Sequence, residues 1–486
     1  MQTKLNLVRN DDICALSTPV GHSAIAVVRL SGPQSLFILK KLCTKLNQDI
    51  VSHKAYLTYA YCDKNEKIDQ ILVTYFKDQQ SYTGESGLEI SCHGNPNIVK
   101  KILDRLIDLG ARLAYPGEFT FRAFINNKID LVQAEAILAL IESQSDSAAK
   151  VSLRQLDGQT SDQFKKMESD LIWCLAHIEA SIDFSTEGID IVNDSGLILK
   201  LKKLKLQLET LINNFSHGQI IKHGIKVAIL GKPNAGKSSL LNICVQSEKA
   251  IVTEIAGTTR DVIEAQTQHN GISLLISDTA GLRETSDKVE KIGVHRSIAE
   301  IDKSDLNIFV LDSADKIDEQ FIKNLNLLKN QKFIIVCNKA DLITEIQKTA
   351  LADEISRAVL NAQDKINSID NYNNSKKDKI YFSNQILFVS CFESSCRDSL
   401  LNFILQQFDN LNFLDEAMVS SARQIEMVKI ALDFLNKSIE ELEQGLGSEF
   451  IAQTLKDAML AIQKILGHVY DDQILDRVFK EFCLGK

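Results

Sequence analysis

Residues 227–238 read Val-Ala-Ile-Leu-Gly-Lys-Pro-Asn-Ala-Gly-Lys-Ser, and this stretch decides the fold of the central part of the chain. Four apolar residues typical of a buried strand lead into the pattern GxxxxGK[ST], and a helical run follows at residues 239–245. The glycines let backbone N–H groups surround a phosphate, and the helix N-terminus adds a favourable dipole. The stretch therefore predicts a P-loop in a parallel α/β domain that begins near Lys226.

The P-loop predicts roles for its own residues. Lys237 is expected to reach the β- and γ-phosphates and to act in catalysis, and the Ser238 hydroxyl is expected to ligate Mg²⁺. The neighbouring residues that complete the predicted phosphate site are Asn234, Ala235, Gly236 and Ser239. A glycine-rich turn without a ligand is the alternative, and it is disfavoured because further nucleotide motifs follow in order.

The first of these motifs is Asp278-Thr279-Ala280-Gly281, which comes directly after an apolar run at residues 274–276. Asp278 is predicted to hold Mg²⁺ through water, and the Gly281 N–H to sense the γ-phosphate. The next residue is Leu282, where many small G proteins carry a glutamine that positions water. An apolar side chain cannot orient the attacking water, so another residue or a partner must do so.

The second motif, Asn338-Lys339-Ala340-Asp341, follows an apolar run at residues 333–336. A carboxylate at Asp341 accepts hydrogen bonds from guanine N1–H and the 2-amino group. Adenine would leave this carboxylate unsatisfied, at a cost of about 1 to 3 kcal/mol. The motif therefore predicts a GTPase, with a generic ATPase or kinase as the alternative. The last base-contact motif expected of a GTPase is degenerate here as Ser390-Cys391-Phe392.

Composition limits the class of protein. The chain has 486 residues, 55 Lys and Arg against 64 Asp and Glu, and a net charge of −9. At roughly 150 residues per domain this predicts about three domains. The 44% hydrophobic content is typical of a globular protein with a large core. The acidic balance disfavours wholesale non-specific nucleic-acid binding, although a local basic groove stays possible.

Targeting and cysteine patterns point to a soluble, cytoplasmic protein. No apolar run reaches the ~18 to 20 residues that a membrane helix needs, and residues 1–12 are too polar for a secretory signal. Ten cysteines without a CxxC pair indicate neither a disulfide framework nor a zinc site. The terminal Cys483-Leu484-Gly485-Lys486 has the length of a prenylation signal but fits it poorly.

The remaining patterns predict a multidomain chain. Residues 1–125 mix strand-like runs at 25–30, 71–75 and 88–91 with a helix at 97–109, which indicates an α+β domain. Apolar residues at helical spacing predict a discontinuous α-helical domain, residues 126–223 and 411–486, around an inserted α/β P-loop G domain, residues 224–410. The lysines at 200–205 are interpreted as a solvated helix face, with RNA contact as the alternative. Residues 361–379 are interpreted as a disordered surface insertion.

Taken together, these motifs resemble the MnmE (TrmE) family, the tRNA-modifying GTPases of bacteria and organelles. The resemblance runs almost end to end and is carried by ten segments: 18–19, 29–32, 82–85, 93–94, 116–119, 122–124, 231–242, 251–261, 278–283 and 482–486. The terminal Phe-Cys-Leu-Gly-Lys is far more specific than the P-loop, which many GTPases share.

The resemblance implies a tRNA-modifying role. The family has an N-terminal folate-binding and dimerisation domain, and its homodimer forms a heterotetramer with MnmG (GidA), which carries FAD. Together they add an aminomethyl or carboxymethylaminomethyl group to C5 of the wobble uridine in certain tRNAs. The carbon comes from a tetrahydrofolate derivative, and GTP hydrolysis drives the conformational cycle.

The resemblance also implies which groups replace the missing water-positioning glutamine. Family G domains dimerise in the presence of K⁺, which takes the place of an arginine finger. The implied K⁺ ligands are Asn234, Thr253, Ile255 and Thr258. Thr259 would complete Mg²⁺ coordination, and Thr253, Thr258, Thr259, Thr279 and Ala280 join the GTP site. Glu290 would orient the water, although from the residues alone an exposed switch-helix carboxylate is the favoured interpretation.

For the folate, the resemblance implies Arg29, Glu89, Lys128 and the terminal Lys486. A carboxylate suits the adjacent N–H donors of a pteridine, and cations suit the carboxylated tail. Without the resemblance, each would be an ordinary surface charge. Cys483 is implied to be a functional thiol, with a buried structural cysteine as the alternative.

Two other classes of function compete with the enzyme. One is an RNA-binding assembly switch like the ribosome-biogenesis GTPases, which predicts a basic module after the G domain. The acidic run Glu440-Glu441-Leu442-Glu443 disfavours it. The other is a mechanical dimer switch without a role in modification, and the folate-like N-terminal motifs disfavour that.

Overall fold

The computed structural model describes residues 11–46, 49–183, 195–245, 264–278, 301–318, 321–322, 325, 328, 331–367, 385–408, 418–482 and 485. It divides the chain into two compact units. The terminal unit comprises Met1–Glu142, Ser152–Phe215 and Ala417–Lys486, and the inserted unit comprises Ser143–Val151 and Ser216–Glu416. The finer division predicted from the sequence, at residues 125, 223 and 410, stays a prediction.

The described strands are β1 Ile13–Leu16, β2 Ser23–Ser31, β3 Ala55–Tyr61, β4 Lys67–Phe76, β5 Gly87–Gly94, β6 Arg112–Leu113, β7 Ile225–Gly231, β8 Glu264–His269, β9 Ile272–Asp278, β10 Leu306–Asp312, β11 Phe333–Asn338 and β12 Ile386–Phe388. The described α-helices are α1 Ser35–Leu42, α2 Pro96–Asp108, α3 Glu118–Ile125, α4 Leu131–Ile141, α5 Asp146–Leu156, α6 Gln159–Asp183, α7 Ser195–His223, α8 Lys237–Val245, α9 Glu345–Asn367, α10 Cys396–Gln406, α11 Ala422–Glu443, α12 Ser448–Leu466 and α13 Asp472–Lys480.

The first sheet lies in the terminal unit, with strand order β3-β4-β5-β2-β1-β6. Its strands pair antiparallel, except for the short parallel pair of β1 and β6. Helix α2 begins after Asn95, whose side chain accepts the Asn97 N–H. Its buried residues Val99, Ile102 and Leu106 recur at helical spacing and pack into the same core as this sheet. The predicted α+β character of this region is confirmed.

The second sheet lies in the inserted unit, with strand order β12-β11-β10-β7-β9-β8. All neighbours are parallel except the hairpin of β8 and β9. Strand β10 is buried over six of its seven residues, as expected for a central parallel strand that helices cover on both faces. The carboxyl ends of β7, β9, β10 and β11 therefore lie along one edge of the sheet, where such folds bind ligands.

Helices far apart in the sequence share one apolar core in the terminal unit. It contains Leu171 and Ile178 of α6 and Leu201 and Leu208 of α7. The same cluster includes fully buried residues of α11 and α12, among them Val428, Leu435, Leu455 and Ile462. The predicted multidomain fold class, with α+β, helical and α/β parts, is confirmed.

The disorder expected for residues 361–379 is wrong for residues 361–367. Helix α9 continues to Asn367. Once a helix is nucleated, each added residue gains one hydrogen bond, and the Ala, Gln and Lys residues of this stretch are good helix formers. Residues 368–379 lie outside the described residues.

The lysine cluster at residues 200–205 is largely neutralised by carboxylates. Lys200 pairs with Asp170 at 2.9 Å, and its ammonium lies 4.4 Å from the Trp173 ring centroid. The other pairs are Lys202 with Glu443 at 3.4 Å and Lys205 with Glu209 at 3.9 Å. These contacts favour the solvated helix face. Within the described ranges, no helix combines the length and apolarity needed to cross a membrane.

Candidate functional site

The P-loop connects β7 to α8 and approaches its neighbours too closely for any residue but glycine at two positions. Gly231 has φ +146°, and a Cβ there would lie 2.3 Å from the Val310 carbonyl oxygen. Gly236 has φ +96°, and a Cβ there would lie 1.9 Å from Asn338 Nδ2. Asn234 adopts the left-handed region with φ 64°. The loop therefore forms a narrow backbone cradle, which fits a phosphate.

Lys237 is held in this cradle. Its side chain is buried, and Nζ donates to the carbonyl oxygens of Gly231 at 2.9 Å and Lys232 at 2.7 Å. These bonds place the ammonium inside the loop. Ser238 and Ser239 follow in the first turn of α8 and are exposed. A hydroxyl at this helix end fits the role of Mg²⁺ ligand beside a bound phosphate.

The base motif is joined directly to the P-loop. Asn338 ends β11, is buried, and donates from Nδ2 to the Ala235 carbonyl oxygen at 3.0 Å. Its own backbone oxygen accepts the Ser313 hydroxyl at 2.6 Å. Asp341 follows in the 3-10 helix Ala340–Leu342 and is exposed, so its carboxylate is free to meet a base.

Lys339 completes this motif through an ion pair. It has φ 59°, and Nζ lies 2.6 Å from Asp312 Oδ2 at the end of β10. Burial alone would raise the pKa of Asp312, but the hydrogen bonds from Lys339 and from the Ala314 N–H lower it below its ordinary value. Asp312 is therefore ionised at neutral pH and fixes the lysine stem beside the base motif.

The degenerate turn at residues 390–392 lies beside the same motif. The Ala340 N–H donates to the Val389 carbonyl oxygen at 3.0 Å, and the Cys391 thiol donates to Asn338 Oδ1 at 3.3 Å. Phe392 is 93% exposed. The turn therefore occupies the place of a base-contact loop, although its side chains differ from the usual ones.

Of the remaining predicted residues of the nucleotide site, the structure describes Asp278 alone. Asp278 is the last residue of β9 and pairs in register with Ile229, two positions before the P-loop glycine. The residues that lie outside the described part of the chain are Thr253, Ile255, Thr258, Thr259, Thr279, Ala280, Gly281 and Glu290.

A second candidate site lies on the sheet of the terminal unit. Arg29 on β2 is paired in register with Glu89 on β5, and their side chains meet at 2.8 Å. The guanidinium carbon lies 5.0 Å from the Tyr82 ring centroid and 5.8 Å from that of Phe119.

Arg29 has one unused donor in this site. Its Nη1 is buried and has no hydrogen-bond partner among the described residues. A buried guanidinium nitrogen without a partner is costly, and a ligand acceptor would satisfy it. The arginine, carboxylate and aromatic ring together fit a planar, hydrogen-bonding ligand such as a pteridine.

Lys128 lies next to the loop that carries Tyr82. It is exposed, and its Nζ donates to the Gln79 carbonyl oxygen at 3.1 Å. A Cβ on Gly84 would lie 3.1 Å from Lys128 Cγ, so the lysine stem packs on the turn at residues 82–85. The structure thus brings Arg29, Glu89 and Lys128 to one region of the terminal unit.

The C-terminal motif reaches the same unit's sheet. Phe482 is buried and packs with Phe479 and Phe121. The Ser17 hydroxyl donates to the Gly485 carbonyl oxygen at 3.1 Å. Cys483 and Lys486 lie outside the described residues. Their neighbours Phe482 and Gly485 contact residues 121 and 17 of the terminal unit.

Sequence reasoning gave no role to three residues of these sites. Tyr82 stood in a family-like segment and Phe119 in another, so the resemblance was a usable signal for both. Asp312 ends β10, and its position at the carboxyl end of a parallel strand was the available signal.

Family models and related proteins match this chain over nearly its full length. The family model for the MnmE helical domain matches residues 131–483, and that for the GTP-binding protein TrmE N-terminus matches residues 12–128. The tRNA modification GTPase MnmE of Bdellovibrio bacteriovorus is 42% identical over 98% of each chain. That of Pseudothermotoga lettingae is 39% identical over 98% of this chain and 100% of its own.

The match to solved structures is weak. The G domain of the FeoB iron transporter of T. maritima is 22% identical, with a TM-score of 0.26, and covers 38% of this chain and 98% of that one. The family assignment therefore rests on the full-length sequence matches. The chain belongs to the MnmE family of tRNA modification GTPases.

Proposed function

We propose that this chain is a K⁺-activated GTPase that modifies C5 of the wobble uridine in certain tRNAs. It works with an FAD-bearing MnmG-type partner and adds a (carboxymethyl)aminomethyl group whose carbon comes from a tetrahydrofolate derivative. As a member of its family it hydrolyses GTP to GDP and phosphate in tRNA modification. The observation that supports the folate step is the buried, unpartnered Arg29 Nη1 beside Tyr82 and Glu89.

The described residues suit GTP hydrolysis. Lys237 is poised to exchange its carbonyl partners for phosphate oxygens, which concentrates positive charge where negative charge develops. Asn338 holds the base motif against the P-loop, and the exposed Asp341 carboxylate accepts hydrogen bonds from guanine. Ser238 and Thr259 would hold Mg²⁺, which would supply Lewis-acid charge at the phosphates. Glu290 orients the attacking water in this proposal.

The K⁺ requirement rests on Asn234 at the exposed tip of the P-loop. Thr253, Ile255 and Thr258 would provide further oxygens. Wild-type GTP turnover should be at least tenfold faster in K⁺ than in Na⁺. Asn234→Ala should abolish this difference, whereas Asn65→Ala, another exposed asparagine at positive φ, should keep it. Equal rates in both salts would refute the K⁺ role.

The role of Glu290 has a separate test. Glu290→Ala should bind a fluorescent GTP analogue normally and lower turnover about 100-fold, the range of general-base and water-orienting groups. Glu354→Ala, which removes an exposed carboxylate on α9 of the same unit, is the control. Unchanged turnover in Glu290→Ala would exclude Glu290 as the water-orienting residue.

The folate site is tested by Arg29→Lys, which keeps the charge but loses the planar fork. Titration calorimetry should show at least tenfold weaker binding of 5-formyltetrahydrofolate. Arg357→Lys, the same exchange in the inserted unit, should bind normally. Unaltered binding in Arg29→Lys would place the folate elsewhere.

The assembly and the reaction are tested in cells. We propose a cytoplasmic homodimer that forms a heterotetramer with MnmG and acts on tRNA; Cys483 and Lys486 would lie near the folate. Mass spectrometry of wobble uridines in cells without this protein should show the unmodified base, and the wild-type gene should restore the modification. A normal profile in the deletion strain would overturn the tRNA function.

A further inference from the structure

Two cysteines lie beside the base motif of the inserted unit, where the Cys391 thiol contacts Asn338 and the side chain of Cys396 hydrogen-bonds that of Cys391. Cys391 is half-buried and Cys396, the first residue of α10, is buried. Two consecutive turns fold the segment between them back on itself, because the Glu393 N–H donates to the Ser390 carbonyl oxygen at 3.0 Å and the Cys396 N–H to that of Glu393 at 3.1 Å. This segment replaces the base-contact loop expected of a GTPase.

The two thiols differ in chemical character. A hydrogen bond from Cys396 lowers the pKa of Cys391 to about 7, although burial opposes this shift. The same contact and burial raise the pKa of Cys396. The charged groups that act on the pair are Asp341 and Glu393. By contrast, burial raises the pKa of Cys174 and of Cys337 to about 12. Cys391 is therefore the nucleophile of the pair at neutral pH.

We propose that Cys391 is a modification site for hydrogen peroxide and that Cys396 resolves the product to a disulfide. The Cys391 thiolate attacks one peroxide oxygen, the O–O bond breaks, and sulfenic acid and hydroxide form. The Cys396 sulfur then displaces hydroxide from the sulfenic sulfur. In sum, two thiols and one peroxide give one disulfide and two waters.

This disulfide acts on the nucleotide site through Asn338. The Cys391 thiol donates to Asn338 Oδ1 at 3.3 Å, and Nδ2 of the same amide donates to the Ala235 carbonyl oxygen in the P-loop at 3.0 Å. The protonated form of Cys391 makes this bond, and a disulfide sulfur has no proton to donate. Oxidation therefore removes the bond from the whole population and leaves Oδ1 of a buried amide without this partner. Loss of one such bond weakens guanine-nucleotide binding about fivefold. The inserted unit thereby becomes sensitive to peroxide.

The test uses the full-length chain, reduced and then freed of reductant. After peroxide treatment, thiols are blocked at acid pH and the peptides are analysed by mass spectrometry without reduction. Cys391 and Cys396 should be linked with a loss of two hydrogens, and the dissociation constant of a fluorescent GDP analogue should rise about fivefold. Both changes should reverse with dithiothreitol. Cys62→Ser, which removes another half-buried cysteine outside this pair, should behave like the wild type.

Two variants separate the steps. Cys396→Ser should stop at the sulfenic acid of Cys391, which dimedone traps, and Cys391→Ser should give neither adduct nor disulfide. Because Cys391→Ser also alters the loop, the rate of iodoacetamide labelling is measured in the wild type: Cys391 should react at least tenfold faster than Cys62 at pH 7. Slower labelling of Cys391, or a disulfide without any change in GDP affinity, would overturn the proposal.

Discussion

At the scale of single residues, Gly236 shows how the P-loop and the base motif are fitted to each other. The glycine has φ +96°, and any Cβ would lie 1.9 Å from Asn338 Nδ2. The same amide donates to the Ala235 carbonyl oxygen. The Asn338 side chain therefore excludes any residue larger than glycine at position 236 and also holds the P-loop in place. Phosphate and base recognition therefore depend on one contact.

Gly236→Ala should separate nucleotide binding from folding. The new methyl group must displace Asn338, so GDP affinity should fall at least tenfold while the terminal unit stays folded. Fluorescence titration with a GDP analogue measures the affinity. Gly110→Ala is the matched control, because Gly110 also has positive φ but no atom lies within 4 Å of its Cβ position. Equal loss of affinity in both variants would contradict the contact.

The sequence predicts Lys237 from the spacing of the phosphate-binding loop, and Asn338 and Asp341 from the motif whose carboxylate suits the hydrogen-bond donors of guanine. The direct bond from Asn338 to Ala235 joins residues 103 apart in sequence, and no local pattern records it. The same holds for Tyr82, which meets Arg29 only through the pairing of sheet strands and the packing of a loop.

At the scale of elements, Arg423 joins three helices of the terminal unit. Its guanidinium binds both carboxylate oxygens of Glu135 on α4, at 2.7 and 3.0 Å. It also donates to the Lys464 and Ile465 carbonyl oxygens at the end of α12, at 2.8 and 3.1 Å. Since the last carbonyls of a helix have no intrahelical partner, Arg423 satisfies them while it fixes α11 against α4.

Arg423→Met should destabilise the terminal unit strongly. It leaves the largely buried Glu135 without its cation, and breaking a buried pair in this way costs about 3 to 5 kcal/mol. Urea unfolding followed by circular dichroism measures the loss. Lys100→Met breaks the exposed pair with Asp104 and should cost less than about 0.5 kcal/mol. A loss below about 1 kcal/mol in Arg423→Met would show that the pair is not structural.

Apolar periodicity predicted these helices because each buries one face, as α6, α7, α11 and α12 do. It underestimated α9, since a polar sequence gives no periodic signal although a helix already started at Glu345 can continue through it. The contacts of Arg423 with α4 and α12 were not predictable, because a charged residue on a helix is expected to face solvent unless its partner is known.

At the scale of the molecule, a partly buried ionic network holds Asp11 in the terminal unit. Arg122 is 4% exposed and binds Asp11, Glu85 and Glu118, and Arg112 binds Asp11 and Glu118. Burial alone would raise the pKa of Glu118, but the hydrogen bonds from Arg112 and the Tyr115 N–H lower it below its ordinary value. The pKa of Asp11 is lowered in the same way.

This network should make the terminal unit sensitive to acid. Since the folded pKa of Glu118 lies below the ordinary value of 4.5, its stabilisation is complete above that pH and is lost as the pH falls through the folded pKa. Burial raises the pKa of Asp12, which works in the opposite direction. Calorimetry of Glu118→Gln against the wild type isolates the first effect.

The melting temperature of Glu118→Gln should lie below that of the wild type at pH 7, and the two should converge as the pH falls below 4.5 through the folded pKa of Glu118. Glu66→Gln, an exchange of an exposed carboxylate, should track the wild type throughout. A constant difference between Glu118→Gln and the wild type at all pH values would show that ionisation of Glu118 is not the cause.

The contact between Ser17 and Gly485 has a consequence for synthesis. It spans 468 residues of sequence, and Phe479 and Phe482 fill the apolar cluster that Phe121 and Phe124 begin. On the ribosome the first sheet emerges early, yet this cluster stays open to water until the last helix leaves the exit tunnel. The inserted unit is complete before then. Chaperone binding to nascent chains should therefore persist at the cluster until α13 has left the tunnel.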